Sequence, residues 1–110
     1  MATTKKQKSV CPLFHRAIEL IGKRWSGAIL RVLLDGPARF SEIQERVPDL
    51  SDRLLSERLK ELEEAGVLDR TVDEGRPVQV TYRLTKRGEA LEPVLDQIGA
   101  WAETWLREKR

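Results

Sequence analysis

Apolar positions recur at helical spacing through most of the chain, and the breaks between these sets mark out the elements. Cys11-Pro12 opens the first helix, because proline suits the first helical position, where its missing N–H costs nothing. Leu13, Phe14, Ala17, Ile18 and Ile21 follow at helical spacing, and Gly22 supplies a stop. A second helix begins at Trp25 and Ser26, carries Ile29, Leu30, Leu33 and Leu34, and ends at Gly36-Pro37. A third, short helix starts at Phe40-Ser41-Glu42 with Ser41 as its N-cap. Ile43 and Val47 face inward from it, and Pro48 closes it. Ser51 caps a fourth helix from Asp52 to Ala65, in which Leu55, Leu59 and Leu62 form one stripe with Leu54 beside it. Gly66 ends it.

The period then changes. Val67 to Val72 and Val78 to Leu84 read as two strands, joined by the turn Asp73-Glu74-Gly75-Arg76-Pro77. Thr85 caps a last, long helix from Lys86 to Arg107, whose first half Pro93 should perturb. Residues 1–10 show no such pattern and read as a disordered basic tail, which leaves residues 11–107 as one domain. Two short helices joined tightly and followed by a hairpin form a winged helix-turn-helix. The expected fold class is therefore mainly α (α+β), a winged helix-turn-helix with a long C-terminal dimerisation helix.

Composition narrows the function classes. At 110 residues, 40% hydrophobic, the chain is long enough for one core, and its 35% charged residues nearly balance at a net +2. No apolar run approaches the ~20 residues of a membrane span, and the start of the chain lacks a signal-peptide core. A cytoplasmic protein is expected. One Cys and one His exclude an intrachain disulfide framework and an ordinary structural zinc site, so no metal or cofactor is expected. Without a resolving cysteine, a glycine-rich loop or an acid pair, Cys11 lacks the support a thiol enzyme needs. The charge is uneven along the chain. The first 25 residues carry six basic side chains against Glu19 alone, leaving +5, while the remainder carries fourteen basic and seventeen acidic. Such a basic segment is either a solvated tail or an aid to holding an anionic partner.

Three blocks carry a family resemblance. The first runs from Cys11-Pro12 through Leu20-Ile21-Gly22-Lys23-Arg24-Trp25 and Ile29-Leu30 to Gly36-Pro37-Ala38-Arg39-Phe40-Ser41-Glu42-Ile43. The second is Leu50-Ser51-Asp52-Arg53-Leu54-Leu55-Ser56-Glu57-Arg58-Leu59 with Leu62-Glu63 and Gly66, and the third is Tyr82-Arg83-Leu84-Thr85 with Gly88. Together they resemble the HxlR-type transcription regulators over roughly residues 10 to 106. Arg24 departs from the family's usual glycine–glycine–lysine–tryptophan run but keeps the local charge. The resemblance implies a dimeric, DNA-binding winged helix-turn-helix, often a repressor.

Residue types on the fourth helix fit that role. At 100° per residue, Leu54, Leu55, Leu59 and Leu62 share an arc of about 140°. Arg53, Ser56, Glu57, Lys60 and Glu64 lie opposite. Arg53 in the first turn is the candidate base reader, since arginine bonds guanine bidentately. Ser56 follows one turn on, Lys60 suits phosphate, and Ser51 can offer hydroxyl and backbone N–H groups to phosphate. Arg39 and Ser41 stand where the third helix begins, a common place for a phosphate clamp, and Arg76 crowns the hairpin turn. Arg58 falls inside the apolar arc, so it snorkels, pairs with a buried-edge acid, or reaches a phosphate. Any surface helix can show a charged face, and Glu57 and Glu64 sit among these cations. A winged-helix protein-interaction module without DNA binding is therefore the alternative.

On the last helix Leu91, Leu95, Ile98, Trp101 and Trp105 make an apolar seam wider than one small domain usually needs. Burial against the first helix of the same chain would account for part of it. A two-fold homodimer, with Trp101 and Trp105 as anchors, accounts for all of it and would meet a pseudo-palindromic operator. Cys11 lies at a helix start near Lys8 and Arg16, a setting that favours thiolate. Some members of the resembled family sense oxidants or electrophiles at such a cysteine, so an oxidant or small-molecule effector is implied by resemblance alone.

Overall fold

A computed structural model describes residues 9–108. The chain runs α1 (Pro12–Ile21), α2 (Ser26–Leu34), β1 (Ala38–Arg39), α3 (Phe40–Arg46), α4 (Asp52–Glu64), β2 (Leu68–Asp73), β3 (Gln79–Leu84), α5 (Lys86–Glu89) and α6 (Glu92–Trp105). The basic tail expected over residues 1–10 lies outside the described residues as far as residue 8; Ser9 and Val10 are exposed and outside any helix or strand.

The core is built by helical stripes meeting the base of a small sheet. Ile29 and Leu30 of α2, Ile43 of α3, and Leu55 and Leu62 of α4 are fully buried, with Leu33, Leu59, Val67 and Leu68 almost so. Burying such a side chain stabilises by about 1.5–3 kcal/mol relative to leaving it in water, and these residues fix the angle between α3 and α4. The sheet has the order β1-β3-β2, antiparallel throughout. Leu68 faces Leu84, Arg70 faces Tyr82 and Asp73 faces Gln79 across the hairpin. Ala38 and Arg39 add a two-residue strand on its other edge, opposite Tyr82 and Thr81.

Three expectations need correction. The long helix from Lys86 to Arg107 is broken. Ala90 and Leu91 separate α5 from α6, and Pro93, which cannot donate in a helix interior, sits instead in the first turn of α6. Ser41 is not the cap of α3. Pairing of Ala38 and Arg39 with β3 keeps the backbone extended up to Arg39, the N-cap, and the Glu42 carboxylate accepts its N–H at 2.7 Å. Trp25 lies just outside α2, as its N-cap, at φ 76.

The two outer helices reach this core through partly buried side chains, Leu20 and Ile21 of α1 and Leu95 of α6. Neither α1 nor α6 has a buried residue, and the Cα radius of gyration is 17.0 Å against about 13 Å for a compact chain of this length. α1 exposes Leu13, Phe14 and Ile18; α6 exposes Val94, Ile98, Trp101 and Trp105. Leu91 and Leu95 differ from the other residues of the expected seam, because both are half-buried against the chain's own core. No helix of the described residues is long and apolar enough to cross a membrane.

Candidate nucleic-acid interface

α3 and α4, joined by the short turn Val47–Ser51, present α4 on the surface beside the β2–β3 hairpin. Ser51 is the N-cap of α4, and its Oγ accepts from the Leu54 N–H at 3.2 Å. This leaves the hydroxyl hydrogen and the remaining first-turn N–H groups at the helix start for an anion. The Arg53 side chain is 90% exposed and, among the described residues, held by an Nε contact with Glu57 at 3.3 Å, a weak exposed pair that it can leave for a base edge. Ser56 and Lys60 continue the same exposed face. Arg76 is exposed at the wing tip, whose backbone is set by the Gly75 N–H donating to Asp73 Oδ1 at 3.1 Å. Ser51, Arg53, Ser56 and Lys60 thus share one face of α4, with Arg76 on the neighbouring hairpin.

Arg39 and Ser41 sit apart from that face, at the start of α3. The Arg39 guanidinium is engaged with Glu42 at 3.7 Å. The Glu42 carboxyl is held below its ordinary range, chiefly by the hydrogen bond from the Arg39 backbone. Ser41 is exposed within the first turn.

Arg58 is structural. Its side chain is only 14% exposed; Nε donates to the Arg24 carbonyl at 2.9 Å, and Nη1 lies 3.4 Å from Glu61. Glu61 in turn holds Lys23 at 3.2 Å. The recognition helix is thereby tied to the turn between α1 and α2, where Arg24 also stacks 5.3 Å from the Trp25 ring centre.

Two residues that the periodicity passes over belong to this surface. A cleft of about 310 Å³ between α4 and the hairpin is lined by Ser56, Lys60 and Glu63 on one side and by Arg70 and Tyr82 on the other, with Leu59 at its base. The signal was present in the alternation of β2: Arg70 falls two residues after the buried Leu68, on the strand face that looks toward α4. Cys11 stands at the N-cap of α1 with its thiol exposed, and the nearby His15 turns to Glu19 at 3.4 Å.

Comparison with known proteins places this architecture. The profile of the HxlR-like helix-turn-helix family matches residues 20–110. The chain belongs to that family. It is 48% identical over 100 residues to the uncharacterised HTH-type transcriptional regulator YvaP of Bacillus subtilis, covering 91% of this chain and 93% of YvaP. It is similarly close to the HTH-type transcriptional regulator YodB of B. subtilis. The reduced form of YodB superimposes with a TM-score of 0.82 at 44% identity, covering 93% of this chain and all of that one. YodB has also been solved diamide-treated and quinone-bound, each with a TM-score of 0.77. The redox regulator HypR in its oxidised form aligns with a TM-score of 0.82 at 34% identity, over 90% of this chain and all of HypR. This HxlR-like chain is thus a transcriptional regulator of helix-turn-helix type rather than an enzyme.

Proposed function

We propose that this regulator is a cytoplasmic repressor that binds a pseudo-palindromic operator as a homodimer and responds to thiol-reactive oxidants or electrophiles through Cys11. The observation that carries the dimer is the pair of outer helices. α1 and α6 bury no residue, yet they hold Leu13, Phe14, Ile18, Ile98, Trp101 and Trp105 in water, and a second copy covers such a surface by two-fold symmetry. In such a dimer the two α4 helices enter successive major grooves about one duplex turn apart. Arg53 reads bases there, Ser51, Lys60 and Arg76 hold phosphate, and Ser56 contacts DNA from the same face. Arg39 and Ser41 flank the strand that passes the start of α3. Bound across a promoter, the dimer excludes the transcription machinery. The protein-interaction alternative would require the α4 face to be neutralised, whereas among the described residues the ion pair on that face, Arg53–Glu57, is exposed and weak.

Cys11 begins α1, one of the two helices assigned to the dimer, so an adduct there acts on interface geometry without touching DNA. YodB, solved reduced, diamide-treated and quinone-bound, and the redox regulator HypR make thiol chemistry the natural effector class. The test treats wild type and Cys11→Ser with diamide or a quinone and titrates a DNA fragment selected by the untreated protein. A shift in wild-type affinity that Cys11→Ser lacks supports the mechanism. Equal responses from both proteins remove Cys11 from it.

A further inference from the structure

We infer that the cleft between α4 and the hairpin is a seat for a single backbone phosphate of DNA, formed by Lys60 and Arg70 with the hydroxyls of Ser56 and Tyr82. The inference rests on the DNA-binding reading above and adds to it Arg70 and Tyr82, which a view of α4 and the wing tip leaves out.

Four observations lead to it. First, charge is spent unevenly on this surface. On α4 itself Arg53 and Arg58 each hold a carboxylate, whereas Lys60, and Arg70 across from it on β2, make no ion pair among the described residues. Second, these two cations line the same cleft from different elements, together with two hydroxyls that can donate. Third, the hairpin wall is built on paired strands. Arg70 and Tyr82 are directly opposed in the antiparallel register, and Tyr82 is on the central strand, paired also with Ala38. Fourth, the place is right for backbone. With α4 in a major groove and the wing tip toward the adjacent minor groove, the sugar–phosphate strand that separates the two grooves faces the gap between them.

Glu63 also lines the cleft, one turn beyond Lys60, and pairs with neither cation among the described residues. Its carboxylate repels an anion from that end and confines the phosphate to the part of the cleft nearer Ser56. Because one anion would bridge the helix and the hairpin, it also fixes the wing relative to the recognition helix. The bidentate fork of Arg70 suits such a fixed geometry better than a point charge would.

The contact is independent of base sequence, so a mixed-sequence duplex of 30 base pairs suffices as probe. Binding is followed by fluorescence anisotropy as a function of salt for wild type, Lys60→Gln/Arg70→Gln, Tyr82→Phe and Arg83→Gln. Arg83 neighbours Tyr82 in sequence but lines a hollow on the other face of the hairpin, so its variant removes a charge without touching the cleft. The expected result is a log–log salt slope shallower by about 0.9 per bound protomer in the double variant, the value for one phosphate rather than two. Arg83→Gln should keep the wild-type slope, and Tyr82→Phe should weaken binding severalfold without changing the slope. A double variant matching Arg83→Gln overturns the seat, and a loss of about 1.8 shows two separate phosphates and overturns the shared site. Wild type that binds no duplex at any salt overturns the DNA-binding reading itself, a result distinct from either.

Discussion

Gly88→Ala is a severe substitution for its size, and the structure says why. Thr85 caps α5 with its Oγ1, which accepts from the Gly88 N–H at 3.2 Å and donates to the Gly66 carbonyl at 2.6 Å. The Thr85 N–H donates to the Val67 carbonyl at 3.1 Å, so the first turn of α5 is clamped onto the end of α4. Gly88 is buried against that clamp. A Cβ added there would stand 2.1 Å from the Val67 carbonyl oxygen and 3.0 Å from Leu84 Cδ2. The nearest atom is a backbone oxygen, so relief needs the backbone itself to move. Overpacking of this kind costs about 1–3 kcal/mol, and loss of the Thr85–Val67 hydrogen bond adds about 1 kcal/mol. The better helix propensity of alanine returns up to about 1 kcal/mol. The net expectation is destabilisation centred on about 2 kcal/mol, which at a urea m-value near the middle of its range, about 2 kcal/mol/M, lowers the midpoint by roughly 1 M. Gly27→Ala is the control. A Cβ at Gly27 in α2 meets nothing within 4 Å, so the same chemical change should be neutral or stabilise by about 0.5 kcal/mol. Both variants are unfolded in urea at one fixed protein concentration, because association shifts apparent stability. A Gly88→Ala midpoint at or above that of wild type would refute the clamp.

Four further outcomes concern the DNA-facing residues, the outer helices and the start of α3. Arg53→Ala should cost about 1–3 kcal/mol on a selected fragment and relax preference at one base position. Arg76→Ala should weaken binding evenly across sequences; an equal loss for Arg53→Ala on specific and random DNA contradicts the division between reader and clamp. Trp105→Ala, 70% exposed in the single chain, should weaken dimerisation by about 2 kcal/mol or more, roughly thirtyfold in sedimentation equilibrium, with the monomer fold intact by circular dichroism. Glu42 stabilises the start of α3 as a carboxylate whose folded-state pKa is depressed, so its contribution is present above its unfolded pKa and lost as pH falls through the folded one. Glu42→Gln should therefore melt below wild type at neutral pH and converge with it in acid; a gap that persists in acid removes ionisation as the cause.

The elements that carry strong periodicity were legible in the sequence. α4 was expected at Asp52 to Ala65 and spans Asp52–Glu64, because a leucine stripe, a serine cap and a following glycine agree on its limits. Both strands fall within a residue of the positions expected from alternation. What escaped was set by tertiary pairing. β1 is two residues long, too short for any period, and its pairing with β3 moves the cap of α3 from Ser41 to Arg39. Pro93 signalled the break in the last helix, but the apolar run continues across it at helical spacing. Leu91 and Leu95 belong to that run, and only the packing shows that they turn inward while Ile98, Trp101 and Trp105 turn outward. For Arg58 the sequence leaves pairing with an acid and a phosphate contact both open; the structure has it against Glu61, and its tie to the Arg24 carbonyl spans 34 residues and has no local signature. The α4–hairpin cleft escaped although alternation puts Arg70 on the face of Leu68, because only the packing of α4 on β2 brings Lys60 and Arg70 to one cleft.

The central claim is that this HxlR-like chain reads DNA as a two-fold dimer through α4 and the wing. Selection of bound fragments from the sheared source genome, with purified wild-type protein, tests it most directly. The account predicts enrichment of fragments that share an inverted repeat with half-sites about one duplex turn apart, and loss of that enrichment with Arg53→Ala. Recovered fragments no different from the input, or enriched for an unpaired single site, would contradict it.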